Sequence, residues 1–317
     1  MGIHKKINPF SKQNNDTGFS TNTNDLGGRF INKDGSFNIV KEGMPFHRRF
    51  SMFHDMLNLP LWKFITVIFL FYFAINLIFM LLYLLLGPQQ LDGLAGGNDW
   101  QIFKQVFYFS TQTFTTVGYG HVSPVGDGAN IVSAVESLTG LLSLAIATGL
   151  IYGRFSKPRS YLAFSEEALV APYKDDTGLM FRFAAFKDKH ALTDLDVKVT
   201  TGLLVVENDV PVYKYFTLDL ERARVDSMPL SWTVVHPINE QSPFYGFSEE
   251  DMKTADVEVY VMLRGFDDVF SNYVQQRTSY TFDEIFFNRK FVPMYRESND
   301  AKSTILELHK LNLHKNI

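Results

Sequence analysis

Two long apolar runs divide the chain. Residues 64–86, FITVIFLFYFAINLIFMLLYLLL, carry no charge. At about 1.5 Å per helical residue they extend about 35 Å, enough to cross the hydrocarbon core of a bilayer. A second run, Ala129 to Tyr152, is interrupted only by Glu136 and small hydroxyl residues. The first run follows a long, mostly polar stretch and exceeds the apolar core of a signal peptide, so both are read as membrane spans. Beyond residue 160 the period changes. Val257, Val259, Val261 and Leu263 alternate with other residues, as do Val197 and Val199 and, after Gly202, Leu203 and Val205. A period of two with turn residues between the runs predicts short strands, and their even spacing predicts a two-sheet sandwich.

The segments around the spans have patterns of their own. From Met44 to Leu59, Phe46, Phe50, Phe53, Met56 and Leu57 recur at helical spacing, with Arg48 and Arg49 elsewhere on the wheel. This predicts an amphipathic helix lying on the membrane surface, or else packed on the soluble part, with a bend at Pro60 before the first span. After a short outer loop, Gly87 to Asp99, either Asn98 or Asp99 can cap a helix. Trp100 suits an interface, and the aromatic-rich stretch Ile102 to Thr113 predicts a short re-entrant helix between the spans. Its carbonyl end would favour a cation beyond it. Residues 1–43, rich in Asn, Thr, Ser, Gly and Lys, hold too little apolar surface to offset ordering entropy and are expected to be mobile. Four parts result: 1–43, 44–59, a pore domain over 60–157, and a β-sandwich domain over 158–317.

Charge adds orientation. Between Lys63 and Arg154 the only Lys or Arg is Lys104, whereas Arg48, Arg49 and Lys63 precede the first span and Arg154, Lys157 and Arg159 follow the second. Both termini are therefore expected in the cytoplasm of an integral membrane protein. The apolar fraction of 46% is concentrated in the spans rather than spread along the chain. A net charge of -4 and the lack of any nucleic-acid motif argue against binding DNA or RNA. Cysteine is absent, which excludes disulfides, thiolate metal sites and cysteine nucleophiles. No span carries repeated arginines, so no voltage sensor is expected. Ser231, His236 and Glu240 are near one another in sequence but sit in no nucleophile elbow, and no phosphate-binding loop occurs. Neither an enzyme nor a nucleotide-gated regulator is expected, and no cofactor.

Between the spans lies Thr115-Thr116-Val117-Gly118-Tyr119-Gly120. TTVGYG resembles the filter loop of potassium channels. The physical requirement is that backbone carbonyls of Thr116, Val117, Gly118 and Tyr119, with the Thr116 hydroxyl, replace the hydration shell of K+. Gly118 and Gly120 can adopt positive φ, while Val117 and Tyr119 point away from the axis and brace the loop. One chain supplies a quarter of the ring, so a homotetramer is implied. On the second span Gly140, Leu144, Thr148 and Tyr152 recur at i, i+4, flanked by Ser137 and Leu141. One face can thus line a cavity, with Tyr152 lowest, and Gly140 and Gly149 are expected bending points. Glu136, the one carboxylate in a span, must face water, a partner or the protein interior, and a role supporting the base of the filter is expected. Arg48, Arg49, Arg154, Lys157 and Arg159 are candidates for contact with anionic lipid, beside the simpler role of anchoring.

From about Met44 to its end the chain resembles the prokaryotic inward-rectifier potassium channels. The segment from Ser231-Trp232-Thr233-Val234-Val235-His236-Pro237-Ile238 to Ser242-Pro243-Phe244-Tyr245-Gly246 looks like that family's cytoplasmic signature. The resemblance implies an immunoglobulin-like cytoplasmic sandwich whose four copies extend the pore, and an aromatic gate at Tyr152. Two departures stand out. Leu144 occupies the cavity position where strong rectifiers have an acidic or amide side chain, so weak rectification is expected. Gln112 and Val122 stand where many eukaryotic relatives pair a glutamate with an arginine behind the filter. Both partners are missing together, which leaves no stranded buried charge.

Overall fold

The computed structural model describes residues 2, 3, 7–15, 18, 29–45, 48, 51–188 and 191–317. It divides into a helical unit, Glu42–Lys157, and a β unit formed by Met1–Lys41 with Pro158–Ile317.

In the helical unit the expected surface segment is helical over Met52–Asn58, preceded by an extended Ser51. Phe46, Arg49 and Phe50 of that segment lie outside the described residues. Pro60, with ψ 145°, separates this helix from the first span, Leu61–Leu86. The span starts three residues before the uncharged run, because Lys63 is a break in hydropathy but not in helical geometry. It ends at Gly87, whose φ of 99° lies in a region that glycine tolerates best. Strand β1, Leu91–Asp92, pairs with β2, Ser123–Pro124, across the segment between the spans. The re-entrant helix, Asp99–Phe114, starts with a reciprocal capping box between Asn98 and Gln101. The second span is Asp127–Phe155. Phe79, Met80, Tyr83, Leu91, Val106, Phe109 and Ala129 form the core where the three helices meet.

The β unit is a sandwich of two five-stranded sheets. One contains β6 (Leu192–Glu207), β7 (Val210–Thr217), β8 (Arg224–Met228), β10 (Glu258–Asp267) and β11 (Asn272–Thr281), in the order β11-β10-β6-β7 with β8 also on β6. The other contains β3 (Leu162–Phe164), β4 (Ala168–Tyr173), β5 (Asp176–Ala185), β9 (Ser231–Ile238) and β12 (Ile285–Phe287), in the order β12-β4-β5-β3 with β9 also on β5. The alternating valines and leucines read from the sequence do face one core. Val261 sits opposite Val199 and Leu263 opposite Val197, all four buried. From the other sheet Leu179, Phe181, Phe183 and Val234 fill the same core, and the rings of Phe181 and Tyr280 meet across it at 5.6 Å. Buried Arg182 donates to the carbonyls of Leu311 at 2.7 Å and Val292 at 2.6 Å and also reaches that of Lys310, which ties down the C-terminal strands.

The N-terminal segment differs from the mobile tail expected of its composition. Ile3 bridges to Val205 and is buried in the sandwich core. Gln13 bridges to Phe216, and the backbone N–H groups of Phe30 and Ile31 donate to the Glu258 carboxylate at 3.1 and 3.4 Å. A few apolar residues and paired backbone groups anchor these stretches where average composition gives no sign of it.

Candidate ion-conduction site

The filter segment begins where the re-entrant helix ends at Phe114. Thr116, Gly118 and Gly120 have φ of 59°, 52° and 77°, whereas Val117 and Tyr119 between them are not in the positive-φ region. In an ordinary strand successive carbonyls point to opposite sides; alternating the hand of φ turns every second peptide plane over and lets them face one way. The N–H groups of Val117 and Gly118 both donate to the Gln112 carbonyl, at 2.9 and 3.2 Å, and that of Thr116 donates to Thr113 at 3.0 Å. The donors in the first half of the loop are thus turned onto the helix behind it. Positive φ at the two glycines was expected. At Thr116 it was not, and for a β-branched residue it is an outlier of the kind found where function holds the backbone under strain.

Gln112 enters this geometry through its main-chain oxygen, and Val122 packs in the helical core. Beyond the filter the β1–β2 pair sets Leu91 against Pro124, and Gly93 runs so close that a Cβ there would lie 1.8 Å from the His121 carbonyl. Val117 and Tyr119, expected as braces, are 53% and 79% exposed in a single chain. Thr115, Thr116 and Leu144 line an apolar hollow of about 430 Å³, together with Phe71, Tyr72 and Leu141.

Glu136 is completely buried. Its carboxylate accepts from the Tyr83 hydroxyl at 2.6 Å and from the Ser110 hydroxyl at 2.5 Å. One helical turn further, Gly140 is buried too, and a Cβ on it would come within 1.8 Å of the Phe114 carbonyl. Gly140 sits one turn from Leu144 and borders the same hollow, and its lack of a side chain also serves close approach of the second span to the re-entrant helix; Leu144, Thr148 and Tyr152 are exposed. Ser137 is half-buried, and nothing lies within 4 Å of where a Gly149 Cβ would be.

Among the basic residues, Arg154 and Lys157 meet the Met52–Asn58 helix. Arg154 donates to the Leu57 carbonyl at 3.4 Å with its guanidinium 5.3 Å from the Phe64 ring centre, and Lys157 donates to Asn58 at 3.0 Å. Arg48 and Arg159 are exposed, in the helical and the β unit respectively, and Arg49 lies outside the described residues. Tyr83, Ser110 and Asn76 were not singled out in the sequence. The signal that could have found them is the buried carboxylate itself, which demands donors from neighbouring helices.

Two apolar helices long enough to cross a bilayer, a re-entrant helix with a carbonyl-presenting loop and a separate β sandwich define an ion-channel architecture in a membrane protein. Residues 65–157 match the family model described as ion channel, and residues 162–316 that of the inward rectifier potassium channel C-terminal domain. The chain is 32% identical over 281 residues to the inward rectifier potassium channel Kirbac3.1 of Paramagnetospirillum magnetotacticum, an alignment covering 87% of this chain and 92% of the relative. It is 28% identical over 311 residues to the ATP-sensitive inward rectifier potassium channel 12 of Gallus gallus, covering 89% and 71% respectively. The chain belongs to the inward rectifier potassium channel family, and K+ is the ion that this family conducts.

Proposed function

We propose that four copies of this chain surround a pore in which residues 115–120 strip water from K+, bound by the carbonyls of Thr116, Val117, Gly118 and Tyr119 and the Thr116 hydroxyl. The single observation behind this is the alternating φ of the loop, with its N–H groups turned back onto Gln112 and Thr113. One such loop offers oxygens from one side only, and a dehydrated cation needs them all round, so closed four-fold symmetry follows. Tyr152 forms the gate by steric closure and dewetting, below a cavity lined by Leu144 and Thr148. Leu144 has no charge with which to hold polyamine or magnesium, which makes rectification weak. Anionic lipid acts on the gate through Arg154 and Lys157, whose partners in the Met52–Asn58 helix supply the mechanical link; Arg48, Arg49 and Arg159 are further candidates for lipid contact. Both termini lie in the cytoplasm and the membrane is the bacterial inner membrane.

Reconstitution tests this directly. Purified protein in liposomes of anionic and zwitterionic lipid should take up Rb+ in a barium-sensitive manner and exclude Na+. Na+ uptake as fast as Rb+, or a monomeric reconstituted species, would overturn the assignment. Steep block by micromolar spermine would overturn weak rectification alone. Lys157→Glu should change the lipid dependence of flux and leave the Rb+ to Na+ ratio as it was.

A further inference from the structure

We propose that Glu136, Tyr83, Ser110 and Asn76 form a buried polar brace that fixes the re-entrant helix, and through it the filter, against both spans. Glu136 is then a positioning residue for selectivity. The inference rests on residues 115–120 being the potassium filter, and it addresses what holds that loop in place when no ionic pair can form between Gln112 and Val122.

The four side chains come from three helices. Asn76 and Tyr83 belong to the first span, Ser110 to the re-entrant helix and Glu136 to the second span. None of the four is more than 1% exposed. The Ser110 hydroxyl lies 2.5 Å from Glu136, 3.1 Å from the Asn76 backbone carbonyl and 3.3 Å from the Asn76 side-chain oxygen, and the Asn76 amide donates to the Tyr72 carbonyl at 2.7 Å.

Contacts repeat along the same edges. Glu136 meets Ser110, and four residues on in both helices Gly140 meets Phe114, the last helical residue before the filter. On the opposite side the first span sets Tyr83 edge-to-face against Phe109 at 5.1 Å and Tyr72 against Phe114 at 5.8 Å, with Asn76 and Ser110 between. The re-entrant helix is therefore gripped on two sides over its last two turns. Between lipid-facing helices, apolar surface alone gives no preferred register, because lipid tails are as apolar as leucine. Hydrogen bonds in a low dielectric are directional and costly to leave unmade, so they set the register.

Hydrogen counting says which substitute will serve. Ser110 has one hydroxyl hydrogen and three oxygens around it. An amide at position 136 could accept from Tyr83 and donate to Ser110, which frees the serine hydrogen for Asn76. An alanine leaves a void, strands the Tyr83 hydroxyl without its acceptor and cuts the tie from Ser110 to the second span, leaving Ser110 only the Asn76 oxygens.

The test uses full-length protein in liposomes, with Rb+ and Na+ uptake measured side by side and assembly followed by size exclusion. Glu136→Gln should keep the Rb+ to Na+ ratio within about twofold of wild type. Glu136→Ala and Ser110→Ala should lower it by about tenfold or more, the scale of one stranded buried hydrogen-bonding group. A wild-type ratio in an assembled Glu136→Ala protein would overturn the brace, as would a loss in Glu136→Gln equal to that in Glu136→Ala. If Glu136→Ala fails to assemble, Ser110→Ala decides, since it deletes one oxygen and little volume; an unchanged ratio there overturns the brace. Failure of the filter assignment is distinguishable, because wild type itself would then show no preference for Rb+.

Discussion

Phe69 in the first span is 67% exposed, whereas Phe183 in β5 is fully buried, although each sits inside a regular element. The contrast extends to their neighbours. Leu70, Phe71, Phe73 and Leu85 stand open on the helical unit, while Leu179, Phe181, Val234 and Leu263 are enclosed in the sandwich. The β unit closes an apolar core on itself and draws its stability from the removal of that surface from water. The helical unit leaves comparable surface for lipid and for other copies of the chain, so what orders it internally is close approach and a few buried hydrogen bonds. Two kinds of interior follow, and they should fail in different ways when disturbed.

The largest effect belongs to the sandwich. Phe183→Ala removes a ring packed between Phe164 at 5.3 Å and Trp232 at 5.6 Å and should destabilise the β unit by about 3–5 kcal/mol. Denaturant titration of the detergent-solubilised protein measures it. Phe69→Ala, on the exposed surface of the first span, should shift the same titration by no more than about 0.5 kcal/mol. Equal losses at the two positions would break the comparison, because the first span would then be burying its apolar face within the chain.

A smaller effect tests close approach in the helical unit. Gly140→Ala forces a methyl group against the Phe114 carbonyl, a backbone atom that yields only if the helix moves, and should destabilise assembly by about 1–3 kcal/mol. Gly149→Ala meets nothing within 4 Å and serves as the control at a second glycine of the same helix. Thermal dissociation of the purified oligomer reads both. If the two alanines behave alike, close packing of the second span on the re-entrant helix is not what organises this unit.

How far the sequence revealed these differences depends on the range of the interaction. Both spans and the alternating valines of β6 and β10 were legible because their signals are periodic and local. The capping residue Asn98 was one of two candidates read from the sequence, since the cap bonds to a residue three positions away. Glu136 was legible as a problem but not as a solution, because Ser110 and Tyr83 stand 26 and 53 residues from it. The face on which Gly140 lies was legible in the helix pattern, whereas the Phe114 carbonyl that approaches it was not. Thr116 carried no local sign of positive φ, since β-branching favours the opposite region and only the surrounding loop imposes it. The paired stretches of the N-terminal segment escaped for a related reason: Ile3 pairs with Val205 and Ile31 packs with Tyr213 and Tyr260, partners far along the chain.

The smallest effect is a matter of protons and belongs to the β unit alone. His236 in β9 is buried with Nδ1 2.6 Å from the Asp219 carbonyl, an acceptor, so that nitrogen carries the hydrogen, and Nε2 accepts from the Ser242 hydroxyl at 2.8 Å. Ser242 also accepts from the Phe244 N–H at 3.1 Å, and since the ring hydrogen is on Nδ1 the serine donates its own to Nε2. Burial holds the imidazole below its ordinary value of 6.5, outweighing the opposing pull of the Asp219 carbonyl. Below pH 6.5 the unfolded chain therefore binds the proton that the folded one refuses, and stability falls as pH drops from that value towards the folded one. The slope for a single proton approaches about 1.4 kcal/mol per pH unit. Other groups titrate in the same range, so the readout is a difference between two proteins. His236→Asn retains a donor for Asp219 and has nothing to protonate; its denaturation midpoint should lie lower than wild type near pH 7.5 and fall less steeply towards about pH 5.5. Parallel pH curves for the two proteins would mean that the histidine takes up its proton within the fold, and the enclosure of the sandwich on which the comparison turns would then be looser at this loop than at Phe183.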